Sequence, residues 1–172
     1  MEAIKAMLER RSVRGFKKEQ ITSEQLNAIL EAGKFAPSGR GRQPVIMIVV
    51  QDKETLSELR QINSEIMGTG QADPFYGAPT VIIVLASKEA PTYIYDGTLT
   101  MGNLMNSAYA VGVDSCWIHR AKEEFEMDWG KNLLKSLGIS GEFEGIGHVA
   151  LGYRADNLPT PKPRKDNFVY KI

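Results

Sequence analysis

Arg10-Arg11-Ser12-Val13-Arg14 places three guanidinium groups and one hydroxyl within five residues. Each guanidinium presents a planar fork of N–H donors matched to phosphate or carboxylate oxygens, and Ser12 adds a hydroxyl bond. The segment reads either as a solvated basic patch or as an anion site, and a phosphorylated ligand would satisfy all of its donors. A second stretch, Pro37-Ser38-Gly39-Arg40-Gly41-Arg42-Gln43-Pro44, is a stiff loop bracketed by prolines, with glycines that let a ligand approach the backbone closely. Its Gly-x-Gly lies in the order helix, loop, strand, whereas a dinucleotide fingerprint follows a strand and opens a helix. The two histidines, His119 and His148, are far apart and have no cysteine or carboxylate at metal-ligand spacing. No nucleophile elbow or Cys-x-x-Cys pair occurs. No constellation for autonomous protein catalysis is present, so if the chain is an enzyme its reactive atom belongs to a bound cofactor.

The elements that must position these residues follow from hydrophobic spacing. Ala3, Ile4, Met7 and Leu8 form a short amphipathic helix ahead of the arginines. Thr22-Ser23-Glu24-Gln25 is a capping box that opens a helix through Leu26, Ile29, Leu30 and Gly33, stopped near Ala36 by Pro37. Val45 to Val50 is a buried strand, and Lys53 to Ile66 a surface helix packed on a sheet. Met67 to Pro79 is a loop suited to a lid or site wall, and its Phe75 and Tyr76, with Tyr95, read either as wall residues of an acceptor pocket or as core or loop packing. Val81 to Ala86 is apolar at every position, so helices should cover both faces of the sheet. Gly97 to Val113 lacks any charge and predicts a helix buried all round, inside the domain or, preferably, at a subunit interface. Asp114 to Ile118 is a third strand containing Cys116 as a small buried hydrophobe, and it leaves His119 and Arg120 at its end, where ligands collect. One helix from Glu123 to Leu137 stops at a left-handed Gly138. The fourth strand holds His148 as a core histidine. Pro159 to Lys165 is stiff and extended, and the apolar residues Phe168, Val169, Tyr170 and Ile172 beyond it must dock on their own sheet or on another subunit.

With 172 residues, 42% of them hydrophobic, the chain predicts a single domain with a sizeable core. Lysine plus arginine equals aspartate plus glutamate at 21 each, so no net field draws nucleic acid or an anionic membrane, and the arginines act locally. A single cysteine, the absence of a secretory pattern at the start, and apolar runs too short to span a bilayer predict a cytoplasmic location with no membrane partner.

Arg10-Arg11-Ser12-x-Arg14, Pro37-Ser38 followed by Gln43-Pro44, Ser115-Cys116-Trp117-Ile118, Gly152-Tyr153 and the basic proline-rich tail occur in the order that resembles the nitroreductase family of flavoproteins. The resemblance covers essentially the whole chain. It implies an α+β fold, a central mixed sheet flanked by helices, in a homodimer with a domain-swapped C-terminal arm. FMN would lie between the subunits, with NADH or NADPH as co-substrate. By motif, Arg10, Arg11 and Ser12 would hold the phosphate and ribityl chain, and Arg14 the pyrimidine side of the flavin. Pro37, Ser38 and Gly39 of the other subunit would line the ring, with Gln43 bonding flavin or ribityl. Trp117, Ile118, His119 and Arg120 would pass over the ring, a backbone N–H near His119 or Arg120 facing N5, while Lys162 and Arg164 would complete the phosphate site. The family pattern carries asparagine where this chain has Gly41, so that contact passes to Arg40, Arg42 or water. The implied activity is hydride transfer from NAD(P)H through flavin N5 to a nitroaromatic, quinone or similar small acceptor by a ping-pong mechanism. The alternatives are a flavin-binding storage, sensing or delivery module, or a binder of other phosphorylated metabolites.

Overall fold

The computed structural model describes residues 2–68 and 72–172; residues 69–71, within the loop anticipated as a lid, lie outside the described residues. The helices are α1 (Ala3–Glu9), α2 (Ser23–Lys34), α3 (Lys53–Met67), α4 (Tyr93–Ala110), α5 (Ala121–Glu126) and α6 (Asp128–Ser136). The strands are β1 (Val45–Val50), β2 (Thr80–Ser87), β3 (Asp114–Ile118) and β4 (Phe143–Gly152). They form one sheet in the order β1-β2-β4-β3, each adjacent pair antiparallel. The four strands thus make an antiparallel sheet where a mixed one was expected; the parallel pairing is an isolated bridge between Ser12 and Ser115, where the N-terminal segment meets the outer edge of β3 without forming a strand.

Alternation along β2 divides the interior in two. Val81, Ile83 and Leu85 face a cluster containing Leu56 and Leu59 of α3 and Phe125 of α5, whereas Ile82 and Val84 face Ile29 of α2 and Met101, Leu104 and Ala108 of α4. The strand is apolar throughout because both sides are covered. Each such fully buried side chain contributes about 1.5–3 kcal/mol through loss of contact with water.

Close approach of α5 to the sheet depends on a break in register at Val84/Leu85, where Leu85 pairs with Gly145 and Val84 with Gly147. A Cβ at Gly145 would overlap the Ala121 carbonyl, so glycine there lets the start of α5 sit directly on β4.

The N-terminus of α2 is closed as anticipated. The Thr22 hydroxyl accepts from the Gln25 N–H at 3.1 Å, and the Gln25 side chain accepts from the Thr22 N–H at 3.1 Å. One helix boundary is corrected. The single helix from Glu123 to Leu137 is two, because Met127 is extended (φ −80°, ψ 163°) and turns the chain so that the backbone of Gly130 packs against Glu124 and Phe125. Within one chain the inner stripe of α4 is buried while Leu99 stays 47% exposed, so the domain alone does not enclose the helix, the other alternative being an interface. The Gly138 cap is as expected, with φ 70° and the Ile139 N–H donating to the Leu134 carbonyl at 2.9 Å. The tail beyond Tyr153 forms no strand, which removes the option that it completes its own sheet. No helix among the described residues is long and apolar enough to cross a membrane.

Thr22→Ala removes the hydroxyl acceptor of the capping box and should destabilise the protein by about 1 kcal/mol in chemical denaturation. Thr22→Ser should retain most of that stability.

Candidate functional site

The N-terminal cluster is positioned by the edge of β3. The Val13 N–H donates to the Ser115 carbonyl at 3.0 Å, which fixes the register of Ser12 against Ser115. This brings Arg10, Ser12 and Arg14 around the Cys116 thiol, while Arg11 folds back, its Nη1 donating to the carbonyls of Leu8 at 2.8 Å and Arg10 at 2.6 Å. The Arg11 Nε is buried without a partner. Among the described residues no carboxylate pairs with Arg10, Arg11 or Arg14. Burial, and then the neighbouring Arg11 charge, hold the Arg10 guanidinium below its ordinary value. Burial pushes the Cys116 thiol up, against the pull of Arg14, Ser12 and Arg10. Arg10 and Arg11 are thus part-buried cations and Arg14 an exposed one, and cations without counter-charges are able to take an anion.

The loop after α2 is held from α4. Asp96, buried in the first turn of that helix, accepts from the Gly39 N–H at 2.9 Å and from the Thr92 hydroxyl at 2.8 Å. The Ser38 hydroxyl accepts from the Gln43 N–H at 3.0 Å. Arg40, Gly41 and Gln43 all adopt positive φ (55°, 65° and 50°), which folds the loop into a tight turn. Pro37, Ser38 and Gln43 line a cleft of about 240 Å³ with Asp96 and Thr100. Asp96 escaped the sequence reading although it is the one charged residue within α4, a signal that could have singled it out.

At the end of β3, Trp117 lies against Gly147, Ile118 is buried, His119 is exposed and Arg120 is left-handed (φ 77°). A left-handed arginine costs roughly 1–2 kcal/mol, so other contacts must hold it. The Asn63 Oδ1 accepts from the Arg120 Nε at 2.9 Å, and the Asn63 Nδ2 donates to the His119 carbonyl at 2.9 Å and to Glu124 Oε1. His148 is the buried core histidine anticipated. Its Nε2 lies 2.7 Å from Glu124 Oε2, its Nδ1 3.3 Å from the Ile118 carbonyl, and Phe75 packs edge-on at 5.2 Å. Neither Asn63 nor Glu124 was marked by any local pattern. Phe75 is fully buried and so belongs to the core rather than to a pocket wall, whereas Tyr76 and Tyr95 reach the surface. From Asp73 to Pro79 the chain is a tight turn, Asp73 accepting from the N–H groups of Phe75 and Gly77. Lys162 and Arg164 lie in the exposed arm and make no hydrogen bond or ion pair with the N-terminal cluster; a single subunit does not bring them together.

Residues 7–153 match the family model described as the nitroreductase family. The chain belongs to the nitroreductase family. Among relatives, a protein of Archaeoglobus fulgidus named as an NADH dehydrogenase/NAD(P)H nitroreductase is 32% identical over 170 residues, covering 96% of this chain and 88% of that protein. Two solved members of this fold are similar along their whole length. A nitroreductase with bound FMN from Bacteroides fragilis superposes with a TM-score of 0.90 at 29% identity, over 100% of this chain and 99% of that one. A nitroreductase with bound FMN from Desulfitobacterium hafniense gives 0.87 at 26% identity, over 100% of both chains. The nitroreductase fold resemblance read from the motifs thus holds for the α+β architecture.

Two outcomes follow from this geometry. Asp96→Ala leaves the Gly39 N–H and the Thr92 hydroxyl unpaired and should cost about 1–3 kcal/mol in denaturation, whereas Asp96→Asn, which keeps an acceptor for Gly39, should recover most of it. A thiol held above its ordinary value stays neutral at pH 7. Alkylation of Cys116 in the folded protein should therefore be slow there and accelerate only as pH rises past the ordinary cysteine value of about 8.5, a rate profile readable by mass spectrometry.

Proposed function

We propose that this chain is the subunit of an FMN-dependent, NAD(P)H-oxidising reductase that passes electrons to a nitroaromatic, quinone or similar small acceptor. The observation that carries the reading is the group of unpaired cations around Ser12 at the edge of β3, in a chain whose solved relatives hold FMN. A phosphate monoester close to a dianion suits that set: Arg10 and Arg11 supply charge, Ser12 a hydroxyl, and Lys162 and Arg164 the remaining cations once a partner's arm is in place. Bound FMN would supply the redox chemistry, taking hydride at N5 from the nicotinamide and yielding it to the acceptor after the nicotinamide has left.

The chain's own residues bind and orient. Arg14 places positive charge beside the pyrimidine side of the ring, which favours the electron-rich reduced flavin. Pro37, Ser38 and Gly39, held by Asp96, wall the ring from the other subunit, and Gln43 bonds the flavin or ribityl. Trp117 and Ile118 carry the chain across it, and the backbone at His119 and Arg120 offers an N–H to N5. His119 is exposed and available to donate a proton to the acceptor.

We infer that two copies assemble around this site, each a single FMN-binding domain. Support comes from apolar surface left bare by one chain: Ile4 and Leu8 of α1, Leu99 of α4, and Phe168, Val169 and Tyr170 of the arm are all between 47% and 79% exposed. An extended arm with that composition fits the sheet or helices of a partner.

Anaerobic titration of the FMN-loaded protein with NADH and with NADPH, followed by an acceptor panel, tests the activity; loss of the oxidised flavin absorbance is expected. Yellow protein that neither nicotinamide bleaches would instead mark a storage or delivery module, and protein with no flavin affinity a binder of other phosphorylated metabolites. Arg10→Ala should weaken FMN binding roughly tenfold to hundredfold, the loss of one charge-assisted bond of about 1.5–3 kcal/mol, measured by fluorescence quenching. Truncation after Leu158 should convert a dimer to monomer in sedimentation equilibrium and weaken FMN binding in the same preparation.

A further inference from the structure

The end of β3 is held by a chain of buried polar groups. Asn63 of α3, Glu124 of α5 and His148 of β4 are each fully buried, a costly placement unless every polar atom is matched. The polarity of the chain is fixed at both ends. His148 Nδ1 faces the Ile118 carbonyl and Nε2 faces Glu124 Oε2, so both ring nitrogens have a partner and the ring joins the end of β3 to the carboxyl of α5. Glu124 Oε1 requires a donor from Asn63, and the Arg120 Nε requires an acceptor from it. Only one orientation of the Asn63 amide meets both demands, and in that orientation its Nδ2 also donates to the His119 carbonyl. The amide thus grips two successive residues of the left-handed turn, one by its backbone and one by its side chain.

We propose that Asn63, oriented by the Glu124–His148 pair, is a positioning residue that clamps the His119–Arg120 turn in the geometry in which its backbone N–H meets the cofactor. The role rests on the flavin reading above, but the clamp itself does not. Three elements converge on the turn from behind, so its strain is carried by groups that never touch substrate. The network runs outward from the core and ends on exposed His119 and part-buried Arg120 at a strand terminus.

The test compares full-length wild type with Asn63→Ala, with the milder Asn63→Ser should the first fail to fold, and with Glu124→Gln as the conservative control. The carboxamide of Glu124→Gln offers oxygen to Asn63 and N–H to the His148 ring, so it should remain near wild type. In flavin-free protein, trypsin cleavage after Arg120, timed against cleavage after Arg164 in the exposed arm, should accelerate about tenfold or more in Asn63→Ala. In FMN-loaded protein, kcat should fall about tenfold or more and the flavin potential should shift, with KM for the nicotinamide and Kd for FMN nearly unchanged. Unchanged cleavage overturns the clamp, whether or not the wild type takes up FMN. Accelerated cleavage with unchanged kcat and potential overturns the positioning role. Wild-type protein that binds no FMN removes the flavin reading and that role together, and the proteolysis still decides the clamp.

Discussion

One backbone hydrogen bond, from the Val13 N–H to the Ser115 carbonyl, decides where the cationic segment lies. It covers the outer edge of β3 with the N-terminal segment, as an edge strand requires, and in doing so draws Arg10, Ser12 and Arg14 around a buried thiol. Arg10 is half-buried beside Arg11 and, among the described residues, pairs with no carboxylate. Like charges so placed repel, and a bound anion would relieve that repulsion.

The opposite wall is held with the same economy. Asp96 is buried at the start of α4 and spends its oxygens on the Gly39 N–H and Thr92, so the loop from Pro37 to Gln43 is fixed through one carboxylate. Strand β4 links the two sides of the molecule. Gly145 lies under α5, Ile146 packs against Gly97 of α4, and Gly147 lies under Trp117, so the bulged stretch reaches both covering layers within three residues. The next residue, His148, joins that frame to the strand end through Glu124 and Asn63. The loop after α2 and the end of β3 are therefore both held by buried polar groups.

What one chain leaves undone is as specific as what it completes. The inner stripe of α4 is sealed against the sheet, yet its outer face, α1 and the arm present apolar surface to water. A lone subunit of this kind has solved its core and not its surface, which accords with a site built from two copies.

Much of this was legible along the chain. The capping box at Thr22, the apolar runs of β1 and β2, the left-handed Gly138 and the buried His148 depend on local spacing or on a residue type that tolerates one environment, and they fall where spacing places them. The ordered motifs carried the family for the same reason, since each is a contiguous stretch. Hydrophobic period, however, reports that a face is buried and not what covers it, so it joined α5 to α6 across Met127 and left open whether the domain or a partner covers the outer face of α4. Asn63 and Glu124 stand 61 residues apart, and Gly39 and Asp96 stand 57 apart. Pairs so distant leave no periodic trace, because they arise only when the sheet brings helices from different parts of the chain against one strand end. The sequence alone determined which cations, loops and strands this protein has to work with; tertiary packing decided which buried amide and carboxylates hold them in place, since a polar group's partner is chosen by proximity in space.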